Sequence, residues 1–335
     1  MKNNLSLKVI SFFALLFIMA GNAKLVYAEI QDGSIARVKL RKEVRALLHE
    51  EKFSELENMA NKFRTEKTRF PDGGWKVHSF HAAFASHYYG WDELLGNLDK
   101  WMKMYPNSVT AKVAAGRAWV EYAWAARGGG YANTVKEEGW KLFEERTAKA
   151  YELVKNPPED LSKDCVERYY VLLIIARAQG WDKHKYEALF KKAVSYEPSY
   201  YAYYLEKAYD LLPRWHGEKG DWQKFADEAV KLTPKSEGMG IYALILLKAW
   251  DLKEFTEFRE PDISWQKMRQ GFIDIERNYP NSPYMLNFFC RLACIASDKE
   301  TAIELFKRIG DEPYTEAWQG RSNFYKWQKW AGMSE

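Results

Sequence analysis

Three glycines in a row beside an arginine, Arg127-Gly128-Gly129-Gly130 in AARGGGYANTVKEEGW (residues 125–140), invite a phosphate-binding reading. A Walker-type loop needs Gly-x-x-x-x-Gly-Lys-Ser/Thr after a buried strand, and both the lysine spacing and the strand are missing. The stretch reads instead as a helix stopped by glycine, followed by a capping box in which Thr134 and Glu137 open the next helix. One glycine would stop a helix. The other two leave room for a neighbour or ligand to approach the backbone, with Arg127 beside them.

Other groupings are weaker still as chemistry. His78 and His81 share a helical face at i, i+3, with His87 rotated away. A metal asks for a third ligand, so this spacing favours ordinary, partly buried histidines. The turn LLPRWHGEKGDW (211–222) carries a cation, a stacking ring and a titratable group in Arg214, Trp215 and His216. That set suits a sugar or a peptide, against the plainer reading of a Pro-bent turn whose tryptophan covers the core. Tyr200, Tyr201, Tyr203 and Tyr204 spread over more than one helical face, so some are expected to be exposed. Rings with a polar tip line peptide and glycan grooves, and these four with Arg127, Arg214, Trp215 and His216 form the candidate binding surface. The pairs Glu137/Glu138 and Glu144/Glu145 could in principle supply two acids for glycoside hydrolysis. Their basic neighbours make a solvated helix face the better reading. No catalytic residue, metal ligand or cofactor site survives this comparison.

The elements that must position these residues are helical. Val166, Tyr169, Tyr170, Leu173 and Ile174 fall at i, i+3, i+4, i+7 and i+8, and Trp222, Phe225, Ala226, Ala229 and Val230 repeat the template. Period-two alternation is not found, so no sheet is expected. Helices are expected near 34–48, 53–66, 74–89, 91–105, 107–127, 135–155, 163–179, 182–196, 199–212, 220–232, 237–250, 264–279, 282–296, 299–309 and 314–331. Breaks recur as YPNSVTA, YEPSYYA, LTPKSEG and YPNSPYM, each downstream of a tryptophan-bearing helix. Pro198 and Pro234 lie 36 residues apart, near the 34 of a tetratricopeptide repeat, although the other intervals are irregular. The expected class is all-α, a tetratricopeptide-like solenoid built as a right-handed stack of helix hairpins with one concave surface for a ligand.

Residues 1–28 read as a secretory signal peptide: Lys2 and Lys8, an apolar run from Val9 to Ala20, then Val26-Tyr27-Ala28 before a cut. Residues 29–335 then form a single helical-repeat domain, exported to the periplasm or the medium, with no later membrane span. Losing Lys2, Lys8 and Lys24 lowers the net charge from +4 to +1. A near-neutral, mixed surface gives no electrostatic footprint for nucleic acid. Cys165, Cys290 and Cys294 are too few for a disulfide scaffold. Buried free thiols are favoured, and Cys165 with Cys290 or Cys294 is the one disulfide that spacing allows.

FPDGGWKV (70–77), the Gly-rich break with its flanking helices (123–150), GWDKHKYEALFKKAVSYEPSYYAYYLEKAYDLLPRWHG (180–217) and GDWQKFADEAV (220–230) together resemble an uncharacterised bacterial domain-of-unknown-function family built on tetratricopeptide-like hairpins. The resemblance runs over about residues 45 to 330. It implies fold alone and carries no catalytic residue. The resulting expectation is an exported scaffold that binds a protein or peptide along its concave face, with no catalysis and no cofactor. The alternative is an all-α glycan-active enzyme whose hairpins close around an aromatic-lined cleft.

Overall fold

The computed structural model describes residues 32–85, 90–130, 132–160, 164–258 and 262–333, so the expected signal peptide and His87 lie outside the described residues. Gln31–Glu335 cluster as one compact unit. Among the described residues the fold is all-helical, with one isolated bridge between Arg69 and Trp75 in place of a sheet. The helices are α1 (Gly33–His49), α2 (Phe53–Thr65), α3 (Lys76–Ala82), α4 (Trp91–Met104), α5 (Val109–Arg127), α6 (Glu137–Val154), α7 (Val166–Ala178) and α8 (Lys183–Tyr196). There follow α9 (Tyr201–Asp210), α10 (Asp221–Leu232), α11 (Gly240–Asp251), α12 (Trp265–Asn278), α13 (Pro283–Ile295), α14 (Lys299–Ile309), α15 (Thr315–Trp318) and α16 (Arg321–Ala331). No helix among them is long and apolar enough to cross a membrane.

The repeated breaks have a common local cause. In each YPNS stretch the tyrosine closes one helix and the serine opens the next. Tyr105 and Tyr279 leave the helix at nearly the same angles (φ −125°, ψ 70° and φ −136°, ψ 69°). Ser108 accepts from Ala111 N at 2.9 Å and Ser282 from Met285 N at 3.0 Å. Two expectations need correction. The helix expected over 314–331 is two, because Gln319 (φ 57°) and Gly320 (φ 120°) turn the chain between α15 and α16. The one expected from 74 begins at Lys76 and tightens into a 3-10 turn at Ala83–Ala85.

Consecutive helices pack in pairs, and α5, α7, α9 and α11 also stack on one another. Gly271 lets α12 lie against α11: a Cβ there would come within 2.5 Å of Met239 O. The ends of the described chain touch. Asp32 Oδ2 accepts from Ser282 Oγ and from Tyr284 N, both at 2.9 Å, so the residue preceding α1 helps cap α13. Ser34 donates to Glu316, and a Cβ on Gly33 would meet the Tyr314 hydroxyl. The turn between α2 and α3 crosses to the start of α9, with Arg69 donating to Ser199 Oγ at 3.1 Å and Lys67 paired with Glu197 at 2.6 Å.

Candidate functional site

These crossings enclose a cleft of about 560 Å³. Arg37 of α1, Asp72 and Trp75 of the turn, and His78 of α3 form one side. The other side is built by Tyr200, Tyr201 and Leu205 at α9, Lys248 and Trp250 of α11, Tyr284, Phe288 and Arg291 of α13, and Glu316 of α15. Rings face one another across corners: Trp75 meets Tyr200 at 5.1 Å and Tyr284 meets Phe288 at 4.7 Å between centroids.

The charged groups around the cleft are already engaged. Arg37 reaches Asp72 at 2.6 Å, and Asp72 also accepts from Gly74 N at 2.9 Å. Glu167, buried beneath the cleft on α7, takes His78 Nδ1 at 2.7 Å and the Tyr200 hydroxyl. Burial alone would raise its carboxyl, but the His78 charge and hydrogen bond, His81 and Tyr200 outweigh it and hold the group below the usual range. His81, wholly buried, is driven down to about 4 chiefly by burial, and its Nε2 faces the Cys165 sulfur at 4.0 Å. Burial pushes the Cys165 thiol up to about 12. A neutral imidazole beside a protonated, buried thiol is no nucleophile. Arg291 donates to Ala317 O at 2.5 Å and lies 4.7 Å from the Trp250 ring.

A second concavity of about 250 Å³ adjoins the first, lined by Arg117, Glu121 and Trp124 of α5, Tyr170 and Arg177 of α7, Glu206 and Tyr209 of α9, and Trp215. Arg177 donates to Glu206 at 2.7 Å and sits within 4.7 Å of both the Tyr209 and Trp215 rings. Tyr170 links the two hollows, its ring 4.9 Å from His78.

The residues singled out in the sequence are dispersed differently from expectation. Tyr200, Tyr201, Tyr203 and Tyr204 are all buried, which corrects the expectation that some stand exposed. Helix α9 is flanked by α7, α8, α10 and α11, so its first turn is covered except where Ala202 and Leu205 meet the cleft. The hydroxyls find partners inside: Tyr203 donates to Val166 O at 2.9 Å and Tyr204 to Pro198 O at 2.8 Å, leaving Tyr200 and Tyr201 to border the cleft. Of the turn after α9, Trp215 faces the second hollow, whereas Arg214 pairs with Glu254 at 2.5 Å and His216 with Asp210 at 2.6 Å.

At the glycine run, Gly128 ends α5 with φ 76°. Arg127 donates to the carbonyls of Gly128 (3.1 Å) and Gly130 (3.0 Å) and lies 4.9 Å from the Trp140 ring, holding the loop's own backbone. Among the described residues, a Cβ added at Gly128 or Gly129 would meet nothing within 4 Å, whereas one at Gly130 would meet Thr134. Helix α6 starts at Glu137 with Lys136, where Thr134 had been expected, as its N-cap residue, and Thr134 lies in the 3-10 turn Ala132–Thr134 ahead of it. Glu137, Glu138, Glu144 and Glu145 are exposed on α6. The three cysteines are buried and free. Among the described residues no group of three or more His, Cys, Asp or Glu side chains is placed to hold a metal ion.

Sequence reasoning singled out His78 but missed its pairing with Glu167, and it missed Arg37, Asp72, Trp75 and the α11 and α13 residues. The Asp72-Gly-Gly-Trp75 turn carried a signal: two small residues before an aromatic ring, at a helix start. Arg37, Trp250 and Arg291 carried none, being single residues on unremarkable helices.

A family model described as "Domain of unknown function (DUF4034)" matches residues 40–150. That span covers most of α1 through most of α6, including the Asp72–Trp75 turn and the glycine run. No curated protein matches the chain, and no solved structure does.

Proposed function

We propose that this chain is an exported, tetratricopeptide-like helical-repeat protein that binds a short peptide in the cleft between α1–α3 and α9–α13, and that it works by binding without catalysis. The observation that carries this reading is the cleft itself. Its volume of about 560 Å³ falls within the roughly 300–1,000 Å³ of ligand sites. Its walls alternate rings with ion pairs. Fixed aromatic walls lose little side-chain freedom when a ligand arrives, and engaged charges such as Arg37 with Asp72 present oriented polar edges at little reorganisation cost. Export is supported by the residue pattern of positions 1–28. The hairpin-and-break pattern, with α5, α7, α9 and α11 stacked, supports the repeat assignment.

Peptides selected from a random library against purified residues 29–335 test this reading. Trp250→Ala and Phe288→Ala, at half-buried positions on the cleft wall, should each weaken a selected peptide by tenfold or more while leaving the helical spectrum intact. Unchanged affinity in both would remove the cleft as the site.

The contact of Asp32 and Ser34 with Ser282, Tyr284 and Glu316 favours one second reading, the all-α glycan hydrolase closed around a cleft. Asp72, Asp251 and Glu316 are the carboxylates lining the cleft, and two of them, Asp72 and Glu316, would serve it. The binding account expects no reducing ends from peptidoglycan or other glycans. Release that Asp72→Asn abolishes would replace it with the hydrolase.

A further inference from the structure

Two arginines of this fold are held alike up to the last partner. Arg168 of α7 donates from Nη1 to Val154 O at 3.3 Å and lies 4.5 Å from the Tyr169 ring. It gives its Nε/Nη2 edge to the Asp164 carboxylate at 2.6 Å and 2.5 Å. Arg291 of α13 likewise donates from Nη1 to a backbone carbonyl, Ala317 O at 2.5 Å, and lies 4.7 Å from the Trp250 ring. Its Nε/Nη2 edge meets no carboxylate among the described residues, and neither nitrogen is sealed in the core, so that edge is open.

Arg291 also borders the large cleft. Tyr284, Phe288 and Arg291 stand at i, i+4 and i+7 and share the face of α13 that lines it. The wall runs from one cation to another through rings. Arg37 lies 6.0 Å from the Tyr284 ring, Tyr284 meets Phe288 at 4.7 Å, Phe288 meets Trp250 at 6.5 Å, and Arg291 closes the row beyond Trp250.

The other cations of the lining have acids of their own, Arg37 in Asp72 at 2.6 Å and Lys248 in Asp251 at 3.6 Å. Glu316, the third acid there, accepts from Ser34. Arg291 is met by a ring and a carbonyl alone. Burial accordingly lowers its proton affinity unopposed, whereas at Arg168 the same burial is outweighed by the Asp164 hydrogen bond and charge. The parallel N–H groups of a guanidinium edge match the two oxygens of one carboxylate, as Asp164 demonstrates.

We infer that Arg291 is the carboxylate anchor of the cleft: stacked on Trp250 and fixed by Ala317 O, it receives a carboxylate of the bound peptide on its Nε/Nη2 edge. The inference rests on the peptide-binding reading and adds to it the charge of the ligand and the end of the ring-lined wall at which that charge sits. The carboxylate has two sources, a chain terminus or an Asp or Glu side chain.

Three libraries of short random peptides, selected against purified residues 29–335, test the anchor. The first lacks Asp and Glu and ends in a carboxamide, so it carries no carboxylate. The second differs from it only in a free terminal carboxylate, and the third only in including Asp and Glu. Binders from the second library should exceed the neutral ones by roughly tenfold or more if the terminus is the anchor, and binders from the third if a side chain is. Arg291→Gln should bring acidic peptides down to the level of neutral ones while the neutral ones and the helical spectrum stay unchanged. Arg291→Lys keeps the charge but not the edge, and should recover only part of the difference.

Neutral peptides that bind the wild type as tightly as acidic ones overturn the anchor, and that comparison needs no variant. A carboxylate preference that Arg291→Gln leaves whole overturns it too. If neutral peptides lose affinity in Phe288→Ala while a carboxylate adds nothing, the cleft stands and the anchor falls. If acidic peptides depend on Arg291 yet bind Phe288→Ala and Trp250→Ala at full strength, Arg291 stands as a carboxylate site and the cleft reading falls.

Discussion

His81 sits sealed beside Phe80, Phe84 and Cys165, its Nδ1 without a partner. Its basicity falls from the ordinary 6.5 to about 4 because burial penalises the charged ring. The folded state therefore resists a proton that the unfolded chain accepts, so stability is intact above about pH 6.5 and drains away as pH falls toward 4. The loss on this account is on the order of 3 kcal/mol. His81→Leu should remove it, and the urea midpoints of variant and wild type should cross over between pH 7 and pH 4.5 in favour of the variant. An unchanged difference at the two pH values would contradict the assignment. Asp164 tests a different residue-scale term. It holds the Arg168 guanidinium through Nε at 2.6 Å and Nη2 at 2.5 Å, both side chains buried. Asp164→Ala would strand a buried cation and should cost about 3–5 kcal/mol in denaturant unfolding.

At the scale of elements, two helical glycines should respond with opposite signs. Gly271→Ala would place a methyl against Met239 O of the neighbouring helix, forcing α11 and α12 apart. A loss of about 1–3 kcal/mol is expected. Gly96→Ala on α4 meets nothing within 4 Å and should gain about 0.5–1 kcal/mol by raising helix propensity. Chemical denaturation of the two variants reads both. The elements were the most legible part of the chain, because the 3.6-residue apolar period and the YPNS breaks are local signals. The division between α15 and α16 was not legible, since Gln319 adopts a positive φ that its side chain does not announce. Nor was the burial of Tyr203 and Tyr204. A helical wheel shows which way a ring points but not that neighbouring helices cover every direction.

At the scale of the whole unit, the cleft arises from contacts between residues far apart in the chain. Asp32 caps the start of α13 some 250 positions away, and Arg69 reaches Ser199. Such pairings leave no trace in local spacing, which is why the candidate residues read from the sequence, apart from Arg127 at the end of α5, clustered on α9 and the turn after it while the cleft draws on six helices. Tyr200 and Tyr201 at the cleft and Trp215 at the second hollow were legible; the residues that line the hollows with them were not. Asp32→Ala removes the acceptor shared by Ser282 and Tyr284 N and should loosen the cleft, reducing peptide affinity more than global stability. Equal losses in both would mark the contact as part of the fold alone.

The most direct measurement places a photoreactive benzoylphenylalanine at Phe288, on the cleft wall, and in a second protein at Leu232, exposed at the end of α10. Each is irradiated with a saturating library-selected peptide. The account predicts a covalent adduct from position 288 and none from position 232. Adducts at position 232 alone, or none at either while the peptide remains bound, would contradict a binding site in the cleft.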